Sequence, residues 1–223
     1  MTDLRDWAAD QPLFGLNEAQ RATGMQRPTL RETLSRAVKR GDLIRVERGK
    51  YTAHADPMIY ASHIETPSYL SLWSGLRYYD VTTQQPARVQ IIAARNREDL
   101  ESVEFFRSRS LFGFGKRRYA DFEIFVADPE RLLLDCLERK AVPVEELFEL
   151  AEIVDIDTSV EYATRLGMAS VKKRLGYLLE VVRGESVDIL QVGDRNYPRL
   201  DLTRPGNGEI DSKWRLKVNT DVT

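Results

Sequence analysis

The tightest constraint in this sequence lies between Leu4 and Ala53, where three short helical patterns are closed off in turn and then give way to a basic strand-turn-strand. Leu4, Trp7 and Ala8 fall at helical spacing in a first helix running to about Asp10, and Pro12 and Gly15 mark the break after it. Phe14 and Leu16 precede Asn17, a favoured N-cap, which places a second helix up to about Thr23. Gly24 supplies a tight turn, and a third helix starts near Pro28, whose missing N–H costs nothing in a first turn. That helix ends near Arg40, with Gly41 at the left-handed C-terminal position. Leu30, Leu34, Ala37 and Val38 lie on one face of it, and Thr29, Glu32, Ser35, Arg36 and Lys39 lie on the other. Ile44 and Val46 then alternate with Arg45 and Glu47 as a strand does, Arg48-Gly49 is the turn, and Tyr51 returns to the core. Three helices followed by a basic-tipped hairpin are the parts of a winged helix-turn-helix.

Such a unit has a direct physical use. A helix of this kind offers polar side chains to base edges in the major groove of double-stranded DNA, and the wing brings cations to phosphates or the neighbouring minor groove. Gln26, Arg27, Thr29, Ser35 and Arg36 are the expected groove contacts, and Lys39, Arg45, Arg48 and Lys50 the expected phosphate contacts. Glu32 shares the outer face and opposes phosphate. Winged helices also serve as protein-docking modules, and that alternative stands beside the DNA reading.

The charge distribution fits the first reading better than the total does. The net charge is −2 over 223 residues, yet residues 1–55 carry 10 Lys and Arg against 7 Asp and Glu. From Arg27 to Lys50 the count is 8 against 3, whereas residues 56–223 are acidic, 23 against 28. The expected division is therefore a DNA-binding domain at 1–55 and a second domain at 56–223, with an overall α+β class.

In the second part, Met58 to Ile64 reads as a short strand and Thr66-Pro67-Ser68 as a helix start. Strands are expected at Arg88–Ala93, Ser102–Arg107 and Phe122–Val126. Asp128 and Pro129 open a helix whose buried face holds Leu132, Leu133, Cys136 and Leu137. Helices follow near Pro143–Val154, Ser159–Leu166 and Ala169–Arg183, and the last segment, Gly184 to Thr223, reads as extended. The start of the chain is acidic where a signal peptide needs bases, no apolar run approaches the roughly 18 residues of a membrane span, and a lone cysteine allows no internal disulfide. A cytoplasmic protein with no membrane contact is expected.

Several stretches together resemble the AbiEi antitoxin family of type IV abortive-infection toxin–antitoxin systems. They are the wing Arg48-Gly49-Lys50-Tyr51, the segment Tyr69-Leu70-Ser71-Leu72-Trp73-Ser74-Gly75-Leu76-Arg77-Tyr78-Tyr79, and the loop Val81-Thr82-Thr83-Gln84-Gln85-Pro86. Ala127-Asp128-Pro129-Glu130-Arg131-Leu132-Leu133-Leu134-Asp135-Cys136-Leu137 and Lys173-Arg174-Leu175-Gly176-Tyr177-Leu178-Leu179-Glu180 continue the order, and the strand around Trp214 fits more loosely. The resemblance implies a repressor of its own operon that reads inverted repeats, with a second domain that counters a nucleotidyltransferase-like toxin without necessarily binding it. Regulation by a ligand-sensing second domain, with no toxin, is the alternative.

Other clusters suggest chemistry only weakly. Asp155-Ile156-Asp157 imitates the metal carboxylates of nucleotidyltransferases but lacks the Gly-Ser turn before it and reads as a helix linker, with Asp157 or Thr158 as cap. Gly113-Phe114-Gly115-Lys116 lacks the outer residues of a phosphate loop and reads as a hairpin turn. Asp121 with Glu138-Arg139-Lys140 imitates a nuclease site, but a helix end spreads those side chains apart. His54 and His63 have no partners at metal-ligand spacing. No enzyme activity, metal or cofactor is expected. A candidate second basic surface comprises Arg107, Arg109, Lys116, Arg117 and Arg118 around Phe112 and Phe114, together with Lys172, Lys173 and Arg174.

Overall fold

The computed structural model describes residues 3–184, 186–190 and 192–221, and the chain forms two compact units. The reading of the chain start at Met1-Thr2, and the ends of the extended tail, lie outside the described residues in part. One unit gathers the chain up to Leu70 with Ala87–Arg109 and Lys116–Val126; the other gathers Ser71–Pro86, Ser110–Gly115 and the chain from Ala127 onward. The fold is α+β with an N-terminal winged helix-turn-helix.

In the first unit, α1 (Leu4–Ala9) begins where the Asp3 carboxylate accepts the Arg5 N–H at 2.7 Å. After β1 (Phe14–Gly15), α2 (Leu16–Thr23) is capped by Gly15 rather than by Asn17 as expected. The reason is that the Glu18 carboxylate reaches back to the Gly15 N–H at 2.6 Å, while pairing of β1 holds Gly15 extended. Gly24 takes φ +70° in the turn, α3 (Arg27–Arg40) follows with Pro28 in its first turn, and Gly41 closes it at φ +81°. β2 (Ile44–Glu47) and β3 (Lys50–Thr52) form the wing, turning at Gly49 with φ +82°, and the three strands order β1-β3-β2. Leu4, Ala8, Phe14, Ala19, Leu30, Leu34, Ala37 and Leu43 share one buried core. The strand alternation expected from Ile44 breaks, because the register shifts between Arg45 and Glu47; Leu43 fills the core and Ile44 is 40% exposed.

The rest of this unit departs from the sequence reading in three places. Met58–Ile64 is not a strand: α4 (Pro57–Ile64) forms there, with the Asp56 carboxylate accepting the Met58 N–H at 2.9 Å and Pro57 in the first turn. Nearly all of its side chains are buried, so no hydrophobic period distinguishes it from a strand. Thr66-Pro67-Ser68 does not open a helix, since Ser68 donates its hydroxyl to the Ser62 and Glu65 carbonyls and enters β4 (Ser68–Leu70). Nor is Phe114–Lys116 a turn. A five-stranded sheet contains β5 (Val89–Ala93), β6 (Val103–Arg107), β7 (Phe114–Tyr119) and β8 (Phe122–Ala127) in the order β6-β5-β4-β8-β7, and the β7–β8 turn is Ala120-Asp121. β4 runs antiparallel to β5 and parallel to β8.

The second unit is mainly helical. α5 (Leu72–Tyr78) precedes α6 (Pro129–Glu138), which starts with Asp128 at the cap position and Pro129 in its first turn, as expected. A 3-10 turn, Val144–Leu147, leads into α7 (Phe148–Ile153). α8 (Ile156–Leu166) begins earlier than expected because Asp155, not Asp157 or Thr158, caps it by accepting the Thr158 N–H at 2.8 Å. α9 (Ala169–Arg183) matches its expected bounds. Inside, Arg131 and Asp135 form a fully buried pair at 2.8 Å, and Ser71 donates its hydroxyl to Asp135 at 2.8 Å. Cys136 is buried, and burial pushes its thiol well up. The tail supplies β9 (Glu209–Asp211) and β10 (Leu216–Val218), an antiparallel pair. Among the described residues no helix is long and apolar enough to cross a membrane.

Candidate nucleic-acid interface

α3 owes its orientation to its apolar face. Leu30, Leu34 and Ala37 are locked into the core, so the opposite face must point outward. Gln26, Arg27, Thr29, Ser35, Arg36 and Lys39 are all exposed along it. Arg36 pairs with Glu32 at 2.5 Å, but both side chains are about two-thirds exposed, 67% and 64%. A pair of that kind is worth about 0–1 kcal/mol, so it leaves Arg36 available to an incoming acceptor.

The wing divides its basic residues between two jobs. Arg45 and Arg48 are exposed. Lys50 is half-buried and structural in part: its ammonium donates to the Ile64 carbonyl and lies 3.0 Å from Glu47. Glu47 in turn bonds Arg97, which lies 3.5 Å from Glu65 and 4.5 Å over the Phe105 ring. Burial raises the Glu47 carboxyl, but the hydrogen bonds and charges of Lys50 and Arg97 outweigh that and hold it below its ordinary value.

Between the wing and the start of α2 lies a cleft of about 670 Å³, lined among others by Asn17, Arg21, Arg27, Arg48, Lys50 and His63. Arg27 reaches across to Asn17, donating to its side-chain oxygen at 3.2 Å. The one carboxylate in the lining, Glu18, is engaged in capping α2. A shallower groove continues past Arg21, Gly24 and Gln26 to the start of α3. The cleft is open and lined by Arg21, Arg27, Arg48 and Lys50, and it suits a polyanion backbone. Burial lowers the His63 pKa below its ordinary value; the hydrogen bond to the Glu123 carbonyl opposes this and the Lys116 charge adds to it.

Sequence reasoning missed Arg21, Asn17 and His63. Arg21 closes α2, a helix read only for its caps, and His63 reaches the cleft from α4, where a strand was expected.

The match to known proteins falls on this same segment. Residues 3–54 match the family of transcriptional regulators described as AbiEi antitoxins. No curated protein matches the sequence significantly. Among solved structures, the crystal structure of the RV2827C protein from Mycobacterium tuberculosis superposes with a TM-score of 0.68 at 16% identity, covering 96% of this chain and 88% of that one. At that identity the likeness is one of fold.

The candidate second basic surface does not exist as one surface. Arg107 ends β6 and Lys116, Arg117 and Arg118 lie on β7, and these are opposite edges of the sheet; Arg109 follows β6, and all five are exposed. Phe112 is core, with the Arg131 and Arg165 guanidinium groups over its ring at 4.6 and 4.2 Å and Tyr162 packed edge-on against it. Lys172 is half-buried, while Lys173 and Arg174 are buried. Lys173 pairs with Asp194 and donates to the Asn196 carbonyl. Arg174 donates to the Arg199 and Leu137 carbonyls at 2.8 and 3.0 Å, and burial, then Arg199, push its pKa down to about 10.

The carboxylates weighed for catalysis sit at turns and helix ends. Asp155 caps α8, Asp121 sits in the β7–β8 turn, and Glu138 ends α6. Among the described residues no group of three or more His, Cys, Asp or Glu is placed to hold a metal ion.

Proposed function

We propose that this chain is a DNA-binding transcriptional repressor that regulates its own operon by reading inverted repeats through its winged helix, and that its second unit serves an antitoxin role against a nucleotidyltransferase-like toxin. One observation carries the DNA-binding part: the exposed polar face of α3 and the cationic cleft at the wing adjoin each other, and Arg27 belongs to both. The family match over residues 3–54 supports regulation and, through the family's description, the antitoxin role. The chain acts by binding.

The test is a titration of the full chain against the region upstream of its own gene and against a scrambled duplex, at two salt concentrations. Tight binding to the upstream region alone is expected. Arg36→Ala should cost about 1–3 kcal/mol on the specific duplex, while Arg48→Ala should weaken every duplex and lower the salt slope by about 1. Equal, weak binding to both duplexes, or variants that bind as the wild type does, overturns the repressor reading.

A further inference from the structure

The cleft at the wing is walled on one side by a residue of another element. His63 of α4 lines it, with Nε2 2.9 Å from the Glu123 carbonyl oxygen on β8 and its ring 6.0 Å from that of Phe125. Side chains alternate along a strand, so Glu123 and Phe125 share the His63 face, while Ile124 and Val126 are buried on the other. The Glu123 carboxylate holds the Lys116 ammonium of β7 at 2.8 Å, which puts Lys116 on the same face. Arg118 stands two residues further along β7 and shares it. β7 is an outer strand of the sheet, and every residue in this path from wing to strand belongs to the first unit.

We propose that the DNA footprint continues from the wing cleft onto β7, where Lys116 and Arg118 hold phosphates of the duplex flanking the site read by α3. This rests on the winged helix binding duplex DNA. The distances fit one continuous duplex. Neighbouring strands lie about 4.8 Å apart, so β7 sits on the order of 10 Å beyond His63. At about 3.4 Å of rise per base pair, that is roughly 3 base pairs of flank.

The ion pairs of these cations do not stand in the way. Lys116 and Glu123 are 59% and 68% exposed, and Arg118 and Asp121, 3.6 Å apart, are 80% and 90% exposed. Exposed pairs contribute little, and a phosphate competes with the carboxylate on equal terms. Cations on an outer strand also have a plainer use, which is to keep that edge from pairing with another chain.

Nested duplexes from the chain's own upstream region, lengthened in steps of a few base pairs, separate the two uses. For the full chain, affinity should rise several-fold as the flank grows by about 3 base pairs and then level off. K116Q/R118Q should abolish that gain and lower the salt slope on the longer duplex by about 2, while leaving the shortest bound duplex unaffected. D121N/E123Q should do the reverse and tighten the longer duplex several-fold. Affinity that ignores flank length, or both variants matching the wild type, overturns the extension while binding through α3 and the wing still stands. Loss of binding to every duplex by the wild type removes the underlying DNA reading and the extension with it.

Discussion

Two glycines in the second unit show how much a single hydrogen atom can decide. Gly75 and Gly176 both sit inside helices, where replacing glycine by alanine gains about 1 kcal/mol in helix propensity. At Gly75 a new Cβ would come within 2.5 Å of the Leu132 Cδ1; Leu132 is fully buried too, but what must shift there is the end of a flexible side chain. At Gly176 it would run into the six-membered ring of Trp214, which is 2% exposed and has its indole N–H bonded to Glu180 at 2.6 Å. That ring has nowhere to go, and overpacking of this kind costs about 1–3 kcal/mol. Gly75→Ala is therefore expected to be the milder change and Gly176→Ala clearly destabilising in urea unfolding. Equal midpoints for the two variants would mean that Trp214 yields as easily as Leu132.

At the scale of elements, the wing is a hairpin with a brace. Arg97 ties Glu47 of β2 to Glu65 at the end of α4, and all three side chains are less than a quarter exposed, at 18%, 22% and 16%. Arg97→Ala leaves two carboxylates short of a partner, a loss of about 1–3 kcal/mol in stability. It should also weaken DNA binding a few-fold with an unchanged salt slope, since Arg97 positions the wing and touches no phosphate. A slope that falls by about 1 would instead place Arg97 on the DNA. The brace has a pH signature. Because the folded state holds Glu47 below its ordinary 4.5, its contribution is intact above that pH and fades as the pH falls through the lowered value. None of this brace was legible in the sequence, because its members are up to 50 residues apart. What was legible was local. Glycines at 24, 41 and 49 punctuate the helix-turn-helix and wing, and Asp128-Pro129 announces α6. α4 was misread because burial on all sides erases periodicity, and β7 because Gly113 and Gly115 look like a turn when read without their neighbours.

At the scale of the whole molecule, the C-terminal tail decides whether α9 is viable. The sequence offered Lys172-Lys173-Arg174 as a basic surface, since nothing within a helical turn answers their charge. The answer comes from about 20 residues on: Asp194 and the Asn196 carbonyl for Lys173, and the Arg199 carbonyl for Arg174. Trp214 then covers Gly176, and Asp201, itself buried, accepts the Val144 N–H at 3.3 Å. Removing the partner of a buried charge costs about 3–5 kcal/mol, and uncovering the surface under a tryptophan adds a comparable loss. Together these rival the roughly 5–15 kcal/mol that holds a domain folded. A chain ended at Gly184 is therefore expected to lose the cooperative unfolding of its second unit, with α9 exposed to protease. Restoring the tail as a separate peptide covering 186–221 should recover protection of α9 if it supplies these partners. A chain ended at Gly184 that melts as sharply and at the same temperature as the full chain would show that α9 pairs its cations elsewhere, and that the tail is an appendage instead of the closing layer of the unit.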